Sequence, residues 1–174
     1  MPEITFLDAV TVTPEIQAES MRIAEDYFGT SDDPDQIRVS DESMAKLRAL
    51  HPASVLCRVE GGHPVSWVVT VPTSRELANQ FLEGRITEAE LLERSQPQEM
   101  YDAVYLCASF TVPEYRGRGY ALDLRKRVLA AIPQTKDALL FSWPFSEEGK
   151  GLLKRLSQEL NRPILLREDA PLQN

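Results

Sequence analysis

Residues 102–112 read DAVYLCASFTV, a nearly unbroken apolar run with β-branched and aromatic side chains along it. A strand of that kind is covered on both faces, which puts it inside a sheet with a layer on either side. Pro113 then stops the run. RGRGYA, residues 116–121, leads into Ala121, Leu124, Val128 and Ile132, an apolar stripe at helical spacing. Strand, glycine loop and helix in that order fix the architecture of this half of the chain. With 174 residues, 43% of them hydrophobic, there is enough chain for one sizeable core, and we read residues 1–174 as a single domain.

The other elements fall around that unit. Residues 4–12 alternate and read as a first strand. Thr13-Pro14-Glu15 opens a helix: Thr can cap it, Pro suits its first position and Glu its positive end. Ile16, Ser20, Ile23 and Tyr27 carry that helix to Gly29. A second helix opens at Asp41, with Met44, Leu47 and Leu50 on one side. Residues 54–59 and 64–71 read as strands joined in a hairpin through Glu60-Gly61-Gly62-His63. Two short helices follow, each opening on a capping-box pattern, Thr73-x-x-Glu76 and Thr87-x-x-Glu90. After the glycine loop and its helix, residues 138–143 read as a buried strand, 146–160 as a helix and 163–167 as a last short strand. The order is β, two helices, a hairpin, a helical insertion over 73–99 between the third and fourth strands, then βαβαβ. That is an α/β pattern with a mixed sheet.

Several function classes drop out. A net charge of −8 does not suit a general nucleic-acid surface, which needs positive charge to displace counterions. Two cysteines, Cys57 and Cys107, sit in strand-like runs and read as buried free thiols of a reducing compartment. With no C-x-x-C and two histidines, a Cys/His metal site is not expected. His51, before Pro52, and His63, in a turn, read as exposed. MPEITFLDAV has no basic start or long apolar core, so it reads as no secretory leader. No run approaches the ~18 apolar residues of a membrane span. The expected setting is the cytoplasm, with neither nucleic acid nor membrane as partner.

The glycine loop points to an anion. The first N–H groups of a helix have no partner within it, and the helix dipole favours negative charge there. Residues 116–127 hold five basic side chains and one acidic one, a local charge of +4 that leaves −12 for the rest. The phosphate-binding pattern G-x-x-x-x-G-K-[ST] is absent. A dinucleotide pattern G-x-G-x-x-G begins at Gly117 and Gly119 but meets Leu122 at its last position.

Arg116-Gly117-Arg118-Gly119-Tyr120-Ala121 fits Q/R-x-x-G-x-G/A instead. With LCASFTV and Pro113-x-Tyr115 before it, the stretch closely resembles motif A of the GNAT superfamily, the GCN5-related N-acetyltransferases. The order of elements agrees over residues 1–167, and sequence similarity is concentrated in 102–132. The resemblance implies the GNAT acyl-CoA N-acyltransferase fold, with a sheet splayed between strands 4 and 5. It implies acetyl-CoA as cosubstrate and a primary amine of a small molecule or peptide as acceptor. Carried over, backbone groups of Phe110 and Val112, with Thr111 between them, would hold the pantetheine. Arg116, Gly117, Arg118, Gly119, Tyr120 and Ala121 would cradle the pyrophosphate.

The catalytic groups are less defined. Many family members place an acidic Tyr on the helix after strand 5, and the aligned position here is Leu153. Ser146, at that helix start, is the nearest polar substitute and also reads as a plain N-cap. A carboxylate on strand 4 serves others as base. Tyr105 stands at that position, with Asp102 at the start of the strand. Tyr105 also reads as core and Asp102 as a solvated acid. By alternation Tyr105, Cys107 and Ser109 share a face. Cys107 as acyl carrier would need a base that the sequence does not show. Asp32, Asp33, Asp35, Asp41 and Glu42 form either an acidic acceptor site or a solvated loop with a helix cap. The short last strand leaves a sheet edge that a second chain could complete as a homodimer. The missing Tyr leaves a catalytically idle CoA-binding module as the alternative reading.

Overall fold

The computed structural model describes residues 1–28, 37, 40–132 and 135–168. Strands β1 (Ile4–Asp8), β2 (Val55–Glu60), β3 (His63–Thr73), β4 (Ala103–Thr111), β5 (Leu139–Ser142) and β6 (Ile164–Leu166) form one sheet in chain order. β1 to β4 pair antiparallel, then β4, β5 and β6 run parallel. Parallel neighbours need crossover connections, and α5 (Tyr120–Ala131) and α6 (Glu147–Leu160) supply them. α1 (Pro14–Phe28) and α2 (Asp41–Leu50) lie between β1 and β2, and α3 (Arg75–Leu82) and α4 (Glu88–Arg94) between β3 and β4.

Local chemistry sets most of the boundaries. Thr13 Oγ1 accepts from Ile16 N–H at 3.2 Å and starts α1. Glu60 and His63 pair across a two-residue turn in which Gly61 and Gly62 have φ of 57° and 83°, the left-handed pair that a tight hairpin requires. The capping box at Thr87 and Glu90 forms as expected. The one expected at Thr73 does not. β3 continues through Thr73, and Ser74 caps α3 by accepting from Leu77 N–H. α2 opens at Asp41 and is capped by the residue before it, Ser40, whose box partner is Ser43. α5 begins only at Tyr120, because Gly117 and Gly119 both adopt left-handed φ, near 79° and 77°.

The sheet is covered on both sides. Val104, Leu106 and Leu140 pack with Leu122, Leu153 and Leu156 of α5 and α6. On the other face Tyr105, Val71 and Phe141 pack with Leu47 of α2, Phe81 of α3 and Leu91 of α4. α3 and α4 therefore roof this face of the sheet. No helix among the described residues is long and apolar enough to cross a membrane.

Candidate functional site

Two irregularities in the central strand shape the site. The first is where β4 loses its neighbour. β5 follows β4 only as far as the Leu106–Ser142 pair, closed by Ser142 Oγ donating to Leu106 O at 2.7 Å. Residues 107–111 continue with β3 on one side and, among the described residues, no strand on the other, so the sheet splays there. The second is a bulge. Val69 pairs with Ala108 but Thr70 with Leu106, so Cys107 is an extra residue. An extra residue shifts the alternation by one. Ser109 therefore leaves the face of Tyr105: it pairs with Val68, which packs on α5. Phe110 takes the α1 side, stacked with Trp67 and Tyr27 at 4.8 and 5.4 Å between ring centres.

The bulge also decides which backbone groups are open. Val112 N–H donates to Val65 O, so Val112, and Phe110 by alternation, turn toward β3. Ser109 and Thr111 face the splay, and Thr111 O accepts from Arg116 Nε at 3.0 Å.

Beyond the strand lies the glycine loop. Gly119 is the N-cap of α5 and has no side chain to offer the first turn. A methyl group built on Gly117 or Gly119 would meet no atom within 4 Å, so the space above the loop is open. The arginines are partly engaged. Arg116 Nη1 donates to the Tyr27 hydroxyl at 2.9 Å, with its guanidinium over that ring. Arg118 lies over Tyr115, and Arg58 lies 3.9 Å from the centre of the Tyr120 ring. The positive charge of 116–127 is less concentrated than the sequence implies. Lys126 pairs with Glu159, Arg127 pairs with Asp123, and Arg125 turns inward under the sheet.

The expected catalytic residues do not converge. Asp102 directly precedes β4, about 17 Å from Cys107 at ~3.4 Å per residue. Its Oδ1 accepts from Arg75 N–H at 2.8 Å and secures α3. Ser146 is the N-cap of α6, accepting from Gly149 N–H at 3.0 Å. Leu153 packs in the apolar cluster under α5 and α6. Tyr105 is fully buried, and its hydroxyl donates to Glu88 Oε2 at 2.6 Å.

Glu88 is the residue that sequence reasoning missed. It is 5% exposed, and its Oε1 accepts from Ile37 N–H at 3.0 Å. As the first residue of α4 it looks like an ordinary acidic helix start, and no spacing signals that α4 folds it onto β4. Burial first, then Cys107 and Glu88, holds the Tyr105 hydroxyl well above its ordinary pKa. Burial, then Glu88, does the same for the Cys107 thiol against the opposing Arg125 charge. Both are protonated donors at neutral pH. Burial alone pushes Cys57 up to about 12, and both cysteines are free.

A cavity of about 120 Å³ opens beside the bulge, between α1, α2 and the sheet, with Cys107 and Ala108 in its wall. Of the expected acidic acceptor residues, Asp41 and Glu42 are exposed at the start of α2 and do not line it. Asp32, Asp33 and Asp35 lie outside the described residues. No cluster of metal-binding side chains occurs among the described residues.

No family model matches the sequence, and no curated protein matches it. Solved structures do. The aminoglycoside N-acetyltransferase AAC(6')-Iy in complex with CoA is matched over 100% of this chain and 95% of that one, with a TM-score of 0.52 at 12% identity. The loading GNATL domain of CurA from Lyngbya majuscula is matched over 79% of this chain and 62% of that one, with a TM-score of 0.51 at 14% identity. The diaminobutyrate acetyltransferase EctA from Paenibacillus lautus, solved with L-2,4-diaminobutyric acid and coenzyme A, is matched over 75% and 59%, with a TM-score of 0.45 at 8% identity. The chain thus spans about three fifths of the length of the last two structures. What it shares with the first two is the fold, a mixed α/β sheet of the GNAT type.

Proposed function

We propose that this chain, which has the GNAT fold, is an acetyl-CoA-dependent N-acetyltransferase acting on the primary amine of a small molecule or peptide. One observation carries the reading: a helix start with no side-chain cap, behind two left-handed glycines, stands directly beyond a strand edge to which no strand pairs among the described residues. That pairing suits a ligand with a pyrophosphate and an extended amide-bearing arm, because helix N–H groups bind anions and strand edges bind amides. Acetyl-CoA supplies the acetyl group as a thioester. Residues 117–122 receive its pyrophosphate, with Arg116 and Arg118 alongside. Ser109 and Thr111, rather than Phe110 and Val112, offer their backbone to the pantetheine, because the bulge exchanges the two sets.

The acyl carbon then lies near Cys107 and Ala108, where the acceptor cavity meets the splay. The neutral amine attacks there, the C–N bond forms and the C–S bond breaks. The amine must shed a proton. Glu60 and Glu88 are the buried carboxylates among the described residues, and Glu60 is held by Arg58 at 2.8 Å. Glu88, just behind Cys107, is the acceptor we assign, reached through the thiol or a water. Tyr105 orients that carboxylate.

The test is a melting curve with CoA, acetyl-CoA or ATP, followed by thiol release with a panel of amines. A ligand at a hundred times its Kd stabilises by about 2.7 kcal/mol, enough to read. The expected result is a shift with CoA and acetyl-CoA that Gly119→Ala abolishes, since a Cβ there enters the anion site and strains a left-handed residue. A shift with ATP alone would refute the reading. Tight CoA binding without turnover on any amine would point to the idle module, the reading that buried Leu153 favours.

A further inference from the structure

The cavity beside the bulge is walled almost entirely by apolar side chains, Met21 and Ala24 from α1, Met44 and Leu47 from α2, Trp67 and Val69 from β3. No charged residue lines it among the described residues. Of its three polar neighbours, Ser20 is spent on Ile16 O at 2.8 Å and Ser43 on the α2 capping box. Gln17 remains. Cys107 and Ala108 also line the cavity, just past the point of β4 where the strand leaves β5.

From this we infer that the acceptor is an amine carrying a compact apolar group, about the size of a leucine side chain, rather than a polycation. The inference rests on the acetyltransferase reading and deepens it. Size sets the first limit. An engineered apolar cavity of ~150 Å³ stays dry and holds a benzene, so about 120 Å³ suits four to six carbons. Charge sets the second. A second ammonium group would find no charged partner among the described residues of the lining and would be desolvated at heavy cost. The third argument is chemical. An apolar wall disfavours the charged form of the reacting amine as well, which lowers its pKa and raises the neutral fraction that attacks.

Thiol release is measured with n-alkylamines from ethyl to decyl, with phenethylamine, and with spermidine and kanamycin. Each buried methylene contributes about 0.8 kcal/mol, which corresponds to a three- to four-fold rise in kcat/KM. The expected profile climbs by that step to about five or six carbons and then falls. Phenethylamine should exceed spermidine and kanamycin by at least ten-fold. Ala24→Leu should fill the cavity and cut kcat/KM for hexylamine about ten-fold or more, with KM for acetyl-CoA unchanged. Met21→Ala enlarges the cavity and should move the optimum to a longer chain. CoA-dependent melting confirms that each variant is folded. Turnover that is flat with chain length, or that favours spermidine or kanamycin, overturns this inference and leaves the acetyltransferase reading standing. No thiol release with any amine overturns both.

Discussion

Glu88 is a buried carboxylate with donors turned toward it. It accepts from Tyr105 and from Ile37 N–H, and it sits in the first turn of α4 where the helix dipole is positive. In the proposed reaction its tie to the amine runs past Cys107, a thiol kept protonated by burial and by Glu88 itself. Glu88→Gln preserves the shape and an acceptor for Tyr105 but cannot take a proton. The expected result is a fall in kcat of about 10²-fold or more, the usual span for a general base, with KM for acetyl-CoA little changed. The acidic limb of the kcat/KM–pH profile should vanish with it. A residue that only held α4 in place would lower the melting point and leave that limb intact, so the pH profile decides between the two roles.

At the scale of elements, Arg125 is the clamp on the bulge. From α5 it donates to Val69 O at 2.9 Å, Thr70 Oγ1 at 3.0 Å and Ala108 O at 2.8 Å, spanning both strands where Cys107 interrupts their pairing. Burial brings its pKa down to about 10, so it is still charged at neutral pH. Arg125→Met fills similar space but leaves buried acceptors without their donor, each costing about 1–3 kcal/mol. A loss of about 2–4 kcal/mol in urea unfolding is expected, together with weaker CoA binding as the splay relaxes. Stability unchanged within 0.5 kcal/mol, the usual range of a surface change, would remove the clamp from the account. The sequence hid this feature for a physical reason. Alternation marks register only where one face is polar, and β4 is apolar on both, so an inserted Cys107 leaves no trace. Arg125 likewise sits in Arg-Lys-Arg and looks solvated. The glycine loop was legible because its positions need special backbone angles, and caps such as Thr87–Glu90 because they are local. Glu88 over β4 is a tertiary contact that no short pattern encodes.

For the whole molecule, one of the places where the first sheet edge meets the helix layer is the turn after α2, and that turn titrates. His51 ends α2 and caps the turn of residues 52–54, its Nδ1 accepting from Ala53 N–H at 3.0 Å. Pro52 O accepts from Ala9 N–H, and Arg48 Nε donates to Ala9 O, so β1, α2 and β2 are tied there. Burial lowers the His51 pKa, against the pull of nearby Asp8. A histidine with a depressed folded pKa binds its proton more readily unfolded. Its contribution to stability is therefore present above its unfolded pKa, about 6.5, and is lost as pH falls toward the folded value. Asp8 adds a second loss at lower pH. Burial would raise its pKa, but the Thr11 and Val10 N–H groups it accepts from outweigh that and hold it below the ordinary value. That stability is present above ~3.9 and lost as pH drops through the lower folded value. His51→Asn keeps an acceptor for Ala53 N–H without the proton. The wild-type melting point should fall from pH 7.5 to pH 5, and the variant's should stay nearly flat over that span. Both should then decline together below pH 4, where Asp8 titrates. Parallel curves between pH 7.5 and 5 would place the acid sensitivity elsewhere than this turn.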